Sequence, residues 1–263
     1  LSAGMELIAE FFRGLRASTG LNFTIFYDPF DAARFWRAFV TTCELALYSV
    51  ALSLAIGVAG AFAQGARFAP LRWLVNGYVA FFRNTPPLVQ MYFFFFALGA
   101  ITPTVPDDIG MEVPLVSNFA WALVALSLFA GAFNVEIFRS GIEAVPRATV
   151  EATEALGYTR LGAYRHVVLP LAFRVCLPAL NNNLVNLVKT TTLAYAIGVP
   201  EMLYVANQIW SDALNVTEMM NVLLLLYIGL VSLLVWLMHR WEGALRMPGY
   251  QMAIAPPIRK IPS

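Results

Sequence analysis

Four ionisable side chains, Glu44, Arg83, Glu136 and Lys189, fall within or beside long apolar stretches of this 263-residue chain. A charge held in hydrocarbon is costly, and it is retained where it lines a pathway or meets an opposite charge. Glu44 stands near the end of its stretch, where its carboxyl can reach an interface. Arg83 and Glu136 lie deeper and can pair as a gate. Lys189 ends a polar ladder of Asn181, Asn182, Asn183 and Asn186, and Thr190, Thr191 and Thr192 follow it. Asn182, Asn186 and Lys189 stand at i, i+4 and i+7, on one helix face. That face must look into protein or a cavity, because lipid offers it no partners. Hydrogen bonding to a neighbouring helix and contact with a solute both fit it. The two histidines, His166 and His239, lie outside the apolar stretches and far apart. No nucleophile–base pair or metal cluster is formed, which argues against an intramembrane enzyme. No G-x4-G-K-[ST] loop is present, so no nucleotide is expected on this chain.

The elements that position these groups are helices. Residues 73–100 form an apolar segment interrupted by Arg83-Asn84-Thr85-Pro86-Pro87. Ten residues separate Trp73 from Arg83, about 15 Å at 1.5 Å per residue, which puts the interruption near the middle of a bilayer. The two prolines remove backbone donors and break the helix. A half-helix that restarts there points its positive end inward, which suits a carboxylate. A packing kink with Arg83 held by a neighbouring acid is the plainer alternative. Further spans are expected over 35–63, 119–142, 171–196 and 220–238, with Gly57 and Gly60 allowing close helix approach in the first. Tyr92 to Phe96 read as a lipid-facing and packing surface. Ahead of the spans, residues 5–16 read as an amphipathic interfacial helix, with Met5, Ile8, Phe12 and Leu15 on one side. Asp31 is expected to cap the first span, and Pro200 to Leu214 to form a short outer helix.

Between spans lies a polar island, Pro146 to Pro170. Pro146 can occupy a first helical turn, Gly157 can supply a left-handed stop after Leu156, and Thr159 can cap a second piece with Leu161, Tyr164 and Val168 on one face. Neither piece is long enough to span a membrane alone. Two helices meeting at a glycine elbow are expected, lying on the membrane or projecting from it.

Composition excludes a water-soluble domain: 59% of residues are hydrophobic and 13% charged, with mean hydropathy +0.68, against about 25% charge in soluble proteins. The net charge of +1 gives no indication of nucleic acid. Cys43 and Cys176 are expected near opposite membrane faces and unpaired. The sequence starts at Leu1, so a few native residues are expected before it; Glu6, Glu10 and Arg13 interrupt its first apolar run, so no cleavable signal is expected. The turn after span one, the island with its flanks and the tail hold Arg67, Arg72, Arg139, Arg147, Arg160, Arg165, Arg174, Arg240, Arg246, Arg259 and Lys260, and the two alternate loops hold none. The positive-inside rule then makes the island and C-terminus cytoplasmic and the N-terminus outside. Arg13, Arg16, Arg34 and Arg37 run against that rule at the outer end. The expected organisation is an outer segment over 1–34, a membrane domain over 35–245 and a cytoplasmic tail over 246–263.

The island also carries a motif. Glu151-Ala152-Thr153, Gly157, Val167, Leu169 and Pro170 match the spacing of E-A-A-x3-G-x9-I-x-L-P, with Thr153 and Val167 as the departures. This resembles the EAA loop of ABC-importer permeases. Arg83-Asn84-Thr85-Pro86-Pro87-Leu88-Val89-Gln90 resembles R-G-T-P-L-L-V-Q of permeases for polar amino acids. Residues 132–146 resemble A-Y-x-A-E-I-x-R-x-G-I-x-x-V-P, and Lys189–Leu193 and Ile197–Glu201 resemble K-x-[ST]-[ST]-L and I-G-V-P-E. Together the matches cover about residues 35 to 245 in the family order.

The resemblance implies an all-α type I permease fold with five transmembrane helices in a bacterial inner membrane. It implies an ATPase subunit dimer that uses ATP and Mg²⁺, a second permease subunit, identical or related, and a periplasmic amino-acid-binding protein. Glu151, Ala152, Thr153, Ala155, Leu156 and Gly157 would dock the ATPase. Arg83, Asn84, Thr85, Gln90, Glu136, Asn182, Asn186, Lys189 and Thr191 would line the substrate pathway, where Glu136 either pairs with Arg83 or faces an amino acid's ammonium group. The alternative is an ion-coupled secondary amino-acid transporter or a channel, which would need no ATPase.

Overall fold

A computed structural model describes residues 3–245 of the chain. Helix α1 (Ala3–Thr19) and a single turn at Thr24–Phe26 precede α2 (Pro29–Gln64). Asp28, rather than Asp31, caps α2: its carboxylate accepts from the backbone N–H groups of Phe30 and Asp31 at 2.8 and 3.2 Å. Pro29 follows as the first helical residue, where no donor is needed. Asp31 is drawn inside the helix and pairs with Arg34 at 2.8 Å. The α1 expectation included Met5, whose side chain lies outside the described residues, as does the whole 246–263 tail.

The second expected span is two pieces. Helix α3 (Ala69–Asn84) stops where Thr85 and Pro86 adopt extended backbone, and α4 (Pro87–Tyr92) restarts on the second proline. A wider π-type turn, Phe93–Leu98, continues α4. The acidic loop beyond it holds a short hairpin that an all-helical reading did not anticipate. Strand β1 (Thr104–Pro106) pairs antiparallel with β2 (Glu112–Pro114), Val105 opposite Val113. Its turn is closed by Asp107, which accepts from the N–H groups of Ile109 and Met111, with Gly110 at φ +79°.

Helix α5 (Asn118–Glu143) is the central post, packed by α2 on one side and α8 on another. The α2–α5 crossing depends on missing side chains. A Cβ on Gly57 would collide with Asn134 Cβ, and one on Gly60 with Val135 Cγ2. Close approach through small residues is how helices gain dispersion energy where lipid is as apolar as protein. The polar island folds as α6 (Arg147–Ala155), Gly157 and α7 (Arg160–Ala163). Here the structure corrects the sequence reading: α7 is no separate short helix. It runs through a wide turn at Tyr164–Val168 into α8 (Leu169–Thr190) and on through Thr191–Ile197. Pro170 lies in the first turn of α8 and breaks nothing.

Helices α9 (Met202–Ala213) and α10 (Val216–Leu245) complete the fold. Four helical stretches are long and apolar enough to cross a membrane: Pro29–Gln64, Asn118–Glu143, Arg160–Ile197 and Val216–Ala244. The expected fifth, divided at Thr85–Pro86, does not meet that length as one helix. Cys43 and Cys176 are both free.

Candidate functional site

The break between α3 and α4 is held open by one side chain. Gln90, buried one turn into α4, donates its amide to Phe82 O and Thr85 O at 3.0 Å, and to Thr85 Oγ1 at 2.6 Å. Thr85 in turn donates its hydroxyl to Phe81 O at 2.8 Å. These bonds satisfy carbonyls that the helix abandons when it stops, a requirement inside a bilayer. Gln90 and Thr85 therefore brace the interruption and do not line the cavity beside it.

That cavity, about 430 Å³, is lined by Asn76, Val79, Ala80, Arg83, Asn84, Phe133 and Glu136. The α3–α5 packing brings Arg83 and Glu136 together across two elements. Glu136 Oε2 lies 3.7 Å from Arg83 Nη1 but only 3.0 Å from Arg139 Nη2. Arg139 also meets Glu143 at 2.9 Å. The carboxylate is thus held mainly by its own helix, at the i+3 spacing that brings side chains together. The Arg83 guanidinium rests over the Phe133 ring, 5.4 Å from its centroid. A partly exposed pair at 3.7 Å is worth about 0–1 kcal/mol, so exchanging it for a solute's charges costs little. Arg139 was missed as a member of this group, although the Glu136–Arg139–Glu143 spacing signals it.

Asn182, Asn186 and Lys189 do share one exposed face of α8, as their spacing requires, but none of them lines the Arg83 cavity. Asn183 lies about a quarter turn round the helix from that face. Its amide donates to Asn134 Oδ1 at 2.8 Å and to Ala130 O at 3.1 Å, and the fully buried Asn134 donates to Ser53 Oγ at 3.2 Å. This chain of bonds ties α8, α5 and α2 together. Thr191 is also fully buried, its hydroxyl donated to Val188 O at 2.8 Å.

A second buried polar group joins α9 to α10. Glu201 is fully buried and caps α9, accepting from Leu203 N at 2.9 Å and Tyr204 N at 2.8 Å, and from the Tyr227 hydroxyl of α10 at 3.3 Å. Burial pushes its carboxyl up to about 7, against which the three donors work. Next to it Met202 N donates to Thr42 Oγ1 of α2 at 3.0 Å.

On the polar elbow, Gly157 has φ +87°, the left-handed stop that its sequence position predicts. Gly157 N donates to Glu154 O and Tyr158 N to Thr153 O, closing the end of α6. Thr159 caps α7 by accepting from Gly162 N at 3.1 Å. Glu151, Ala152, Ala155 and Leu156 face outward, whereas Thr153 is buried and bonds Thr149 O. Leu156 is 80% exposed and Leu161, across the elbow, 78%. Two large apolar side chains held out on a polar elbow make a surface suited to a partner. Leu161 was read only as part of an apolar face; its exposure comes from α7 continuing into α8.

A glycine-stopped elbow between crossing helices, with a broken helix and an ion-pair cavity above it, defines the membrane-embedded part of a transporter. Residues 53–246 match the family described as binding-protein-dependent transport system inner membrane component. A probable glutamine ABC transporter permease protein, GlnM, of Bacillus subtilis is 30% identical over 80% of this chain and 91% of its own length. The octopine transport system permease protein OccM of Rhizobium radiobacter is 33% identical over 73% and 81%. Among solved structures, an amino acid ABC transporter crystallised with histidines matches with TM-score 0.70 at 25% identity, over 81% of this chain and 94% of that one. The inward-facing MetNI methionine transporter, 19% identical with TM-score 0.58, shares the fold. The chain belongs to the family of binding-protein-dependent transport system inner membrane components. Its fold is that of type I ABC-importer permeases, and it is a transmembrane subunit of an ATP-driven importer whose ATP hydrolysis occurs in a separate subunit.

Proposed function

We propose that the chain carries polar amino acids across a bacterial inner membrane and takes its energy through the α6 elbow. The cavity at the helix break carries this reading: it offers Arg83 to a carboxylate and Glu136 to an ammonium group, joined by an ion pair weak enough to exchange. Asn84 lies on its wall, and the start of α4 directs its N-terminal dipole toward the break. The glutamine and octopine permeases among its relatives support the substrate class. The broken segment is the fifth crossing, two half-helices in series, with the N-terminus outside and the C-terminus cytoplasmic. Glu151, Ala152, Ala155, Leu156 and Gly157 dock one copy of an ATPase dimer that binds ATP and Mg²⁺. A second permease subunit faces the Asn182–Asn186–Lys189 stripe and encloses the pathway, and a periplasmic binding protein delivers the amino acid.

Reconstitution with the ATPase and the binding protein tests the reading. Arg83→Gln and Glu136→Gln should each lower ATP-dependent amino-acid uptake at least about tenfold, the effect of losing one charge-assisted bond, while the assembled complex still forms. Gly157→Asp should leave the permease folded and abolish uptake. Uptake that proceeds on an ion gradient with no ATPase present, or that is untouched by all three changes, refutes the proposal.

A further inference from the structure

Two arginines compete for one oxygen at the cavity beside the helix break. Glu136 Oε2 lies 3.0 Å from Arg139 Nη2 and 3.7 Å from Arg83 Nη1. The nearer arginine is not a wall of the cavity: Arg139 follows Glu136 by three residues on α5 and stands outside the lining. Its guanidinium bridges two carboxylates of its own helix, Nη2 on Glu136 and Nη1 on Glu143 Oε1 at 2.9 Å. Its Nε is buried and has no partner among the described residues, so those two carboxylates are what fixes it.

Gln64, the last residue of α2, also meets the Glu136 carboxylate, and its amide donates to Asn76 Oδ1 of α3 at 2.9 Å. Glu136 is thus held from α5 and α2, two helices locked together at Gly57 and Gly60. Arg83 rides instead on α3, supported by the Phe133 ring. Without other partners, an arginine and a carboxylate close to about 2.8 Å, often through two parallel bonds. Here the Arg83 pair stops at 3.7 Å because Oε2 is already taken. A closed pair would satisfy both charges and leave a zwitterionic solute nothing to neutralise.

On the reading of this cavity as the amino-acid site, we infer that Arg139 is a positioning residue for substrate binding. It holds Glu136 back from Arg83, so that Arg83 stays open to a carboxylate and Glu136 to an ammonium group. Arg139 itself touches no solute; its effect passes through Glu136.

The permease–ATPase complex in nanodiscs, without the binding protein, tests this by titration with radiolabelled L-glutamine, L-glutamate, L-histidine and L-arginine. Arg139→Gln should raise the Kd of whichever of them binds about tenfold, since Glu136 closes on Arg83 and a charge-assisted bond must break before the solute enters. Arg139→Lys keeps a cation at the same i+3 position and should stay within about threefold of wild type. In an Arg83→Gln background no cation remains for Glu136 to close on, and Arg139→Gln should add less than about twofold. A purely structural role would cost the same in both backgrounds. In a cryo-electron-microscopy structure of the Arg139→Gln complex, Glu136 should stand within about 3 Å of an Arg83 nitrogen; this arm decides if Arg83→Gln binds too weakly to titrate. If Arg83→Gln weakens binding, then an unchanged Kd for Arg139→Gln, no rescue by lysine, an equal penalty in both backgrounds, or a pair that has not closed overturns this inference alone. Wild type that binds none of the four, or Arg83→Gln that binds as wild type does, refutes the amino-acid site and this inference with it.

Discussion

Replacing Glu201 by Gln should exchange a pH-dependent cap for a pH-independent one. In the wild-type fold the carboxyl rises from an ordinary value of 4.5 to about 7 because it is fully buried at the start of α9. The folded chain therefore holds the proton more tightly than the unfolded chain does. Its favourable contribution is complete below about pH 4.5 and is lost as pH rises through 7. At about 1.4 kcal/mol per pH unit, that loss amounts to roughly 3 kcal/mol by pH 8. Glutamine keeps one acceptor for Leu203 N or Tyr204 N and gives up the other, a loss of about 1 kcal/mol at any pH. The charge effect is the larger, so the two stability curves must cross. The curves cross near pH 5, so the variant should melt below wild type at pH 4 and above it at pH 8. Scanning fluorimetry of the purified complex from pH 4 to 9 measures this, and the difference between the two proteins cancels every titration they share. A wild-type curve flat between pH 5 and 8, or a variant with the same slope, refutes the burial argument.

Three further outcomes follow from packing. Asn134→Leu should destabilise by about 1–3 kcal/mol, since it leaves Asn183 with Ala130 O alone and Ser53 without its donor; denaturant or thermal melting reads it. Gly60→Val places methyl groups where Val135 already stands, and overpacking of about 1–3 kcal/mol should lower the melting temperature. Leu156→Ser should weaken co-purification of the ATPase while leaving the permease's own stability within about 0.5 kcal/mol of wild type, because the side chain is 80% exposed.

The parts of this structure that announce themselves in the sequence are those set by backbone chemistry. Gly157 has to be the stop because few other residues accept φ +87°, and Pro86-Pro87 has to be a break because two successive donors are missing. Gly57 and Gly60 mark the α2 face that meets another helix, though not that Asn134 and Val135 fill it. What was hidden depends on partners distant in sequence. Asp28 and Asp31 are equally good caps on paper; Arg34 draws Asp31 away from that role and is itself held by Asp212, 178 residues further on. The asparagine ladder could not reveal which rung bonds Asn134 and which faces outward. The hairpin at Thr104–Pro114 was concealed by its two three-residue strands, too short for any alternation to register. The elbow's second piece was separated from the span at 171–196 by bounding the polar island at Pro170, whereas a proline in a first helical turn breaks no bond.

The unbroken run from Arg160 to Ile197 has a mechanical consequence. Its 38 residues make a rod about 57 Å long at 1.5 Å per residue, with the elbow at one end and the buried Thr191 and Ala194 near the other. Near the elbow its backbone is clamped to α5: a Cβ on Gly141 would come within 2.7 Å of Ala172 O. Such a rod behaves as a lever with its fulcrum close to the driven end. A tilt of about 5° shifts the elbow by roughly 1–2 Å but swings the far end by about 3 Å in the opposite direction. A compliant place along it is the wide turn at Tyr164–Val168, between the driven end and the fulcrum; a second is Pro178 beyond the fulcrum, which removes one helix bond. Stiffening that one turn would change how much motion the membrane interior receives from each stroke, without touching either end.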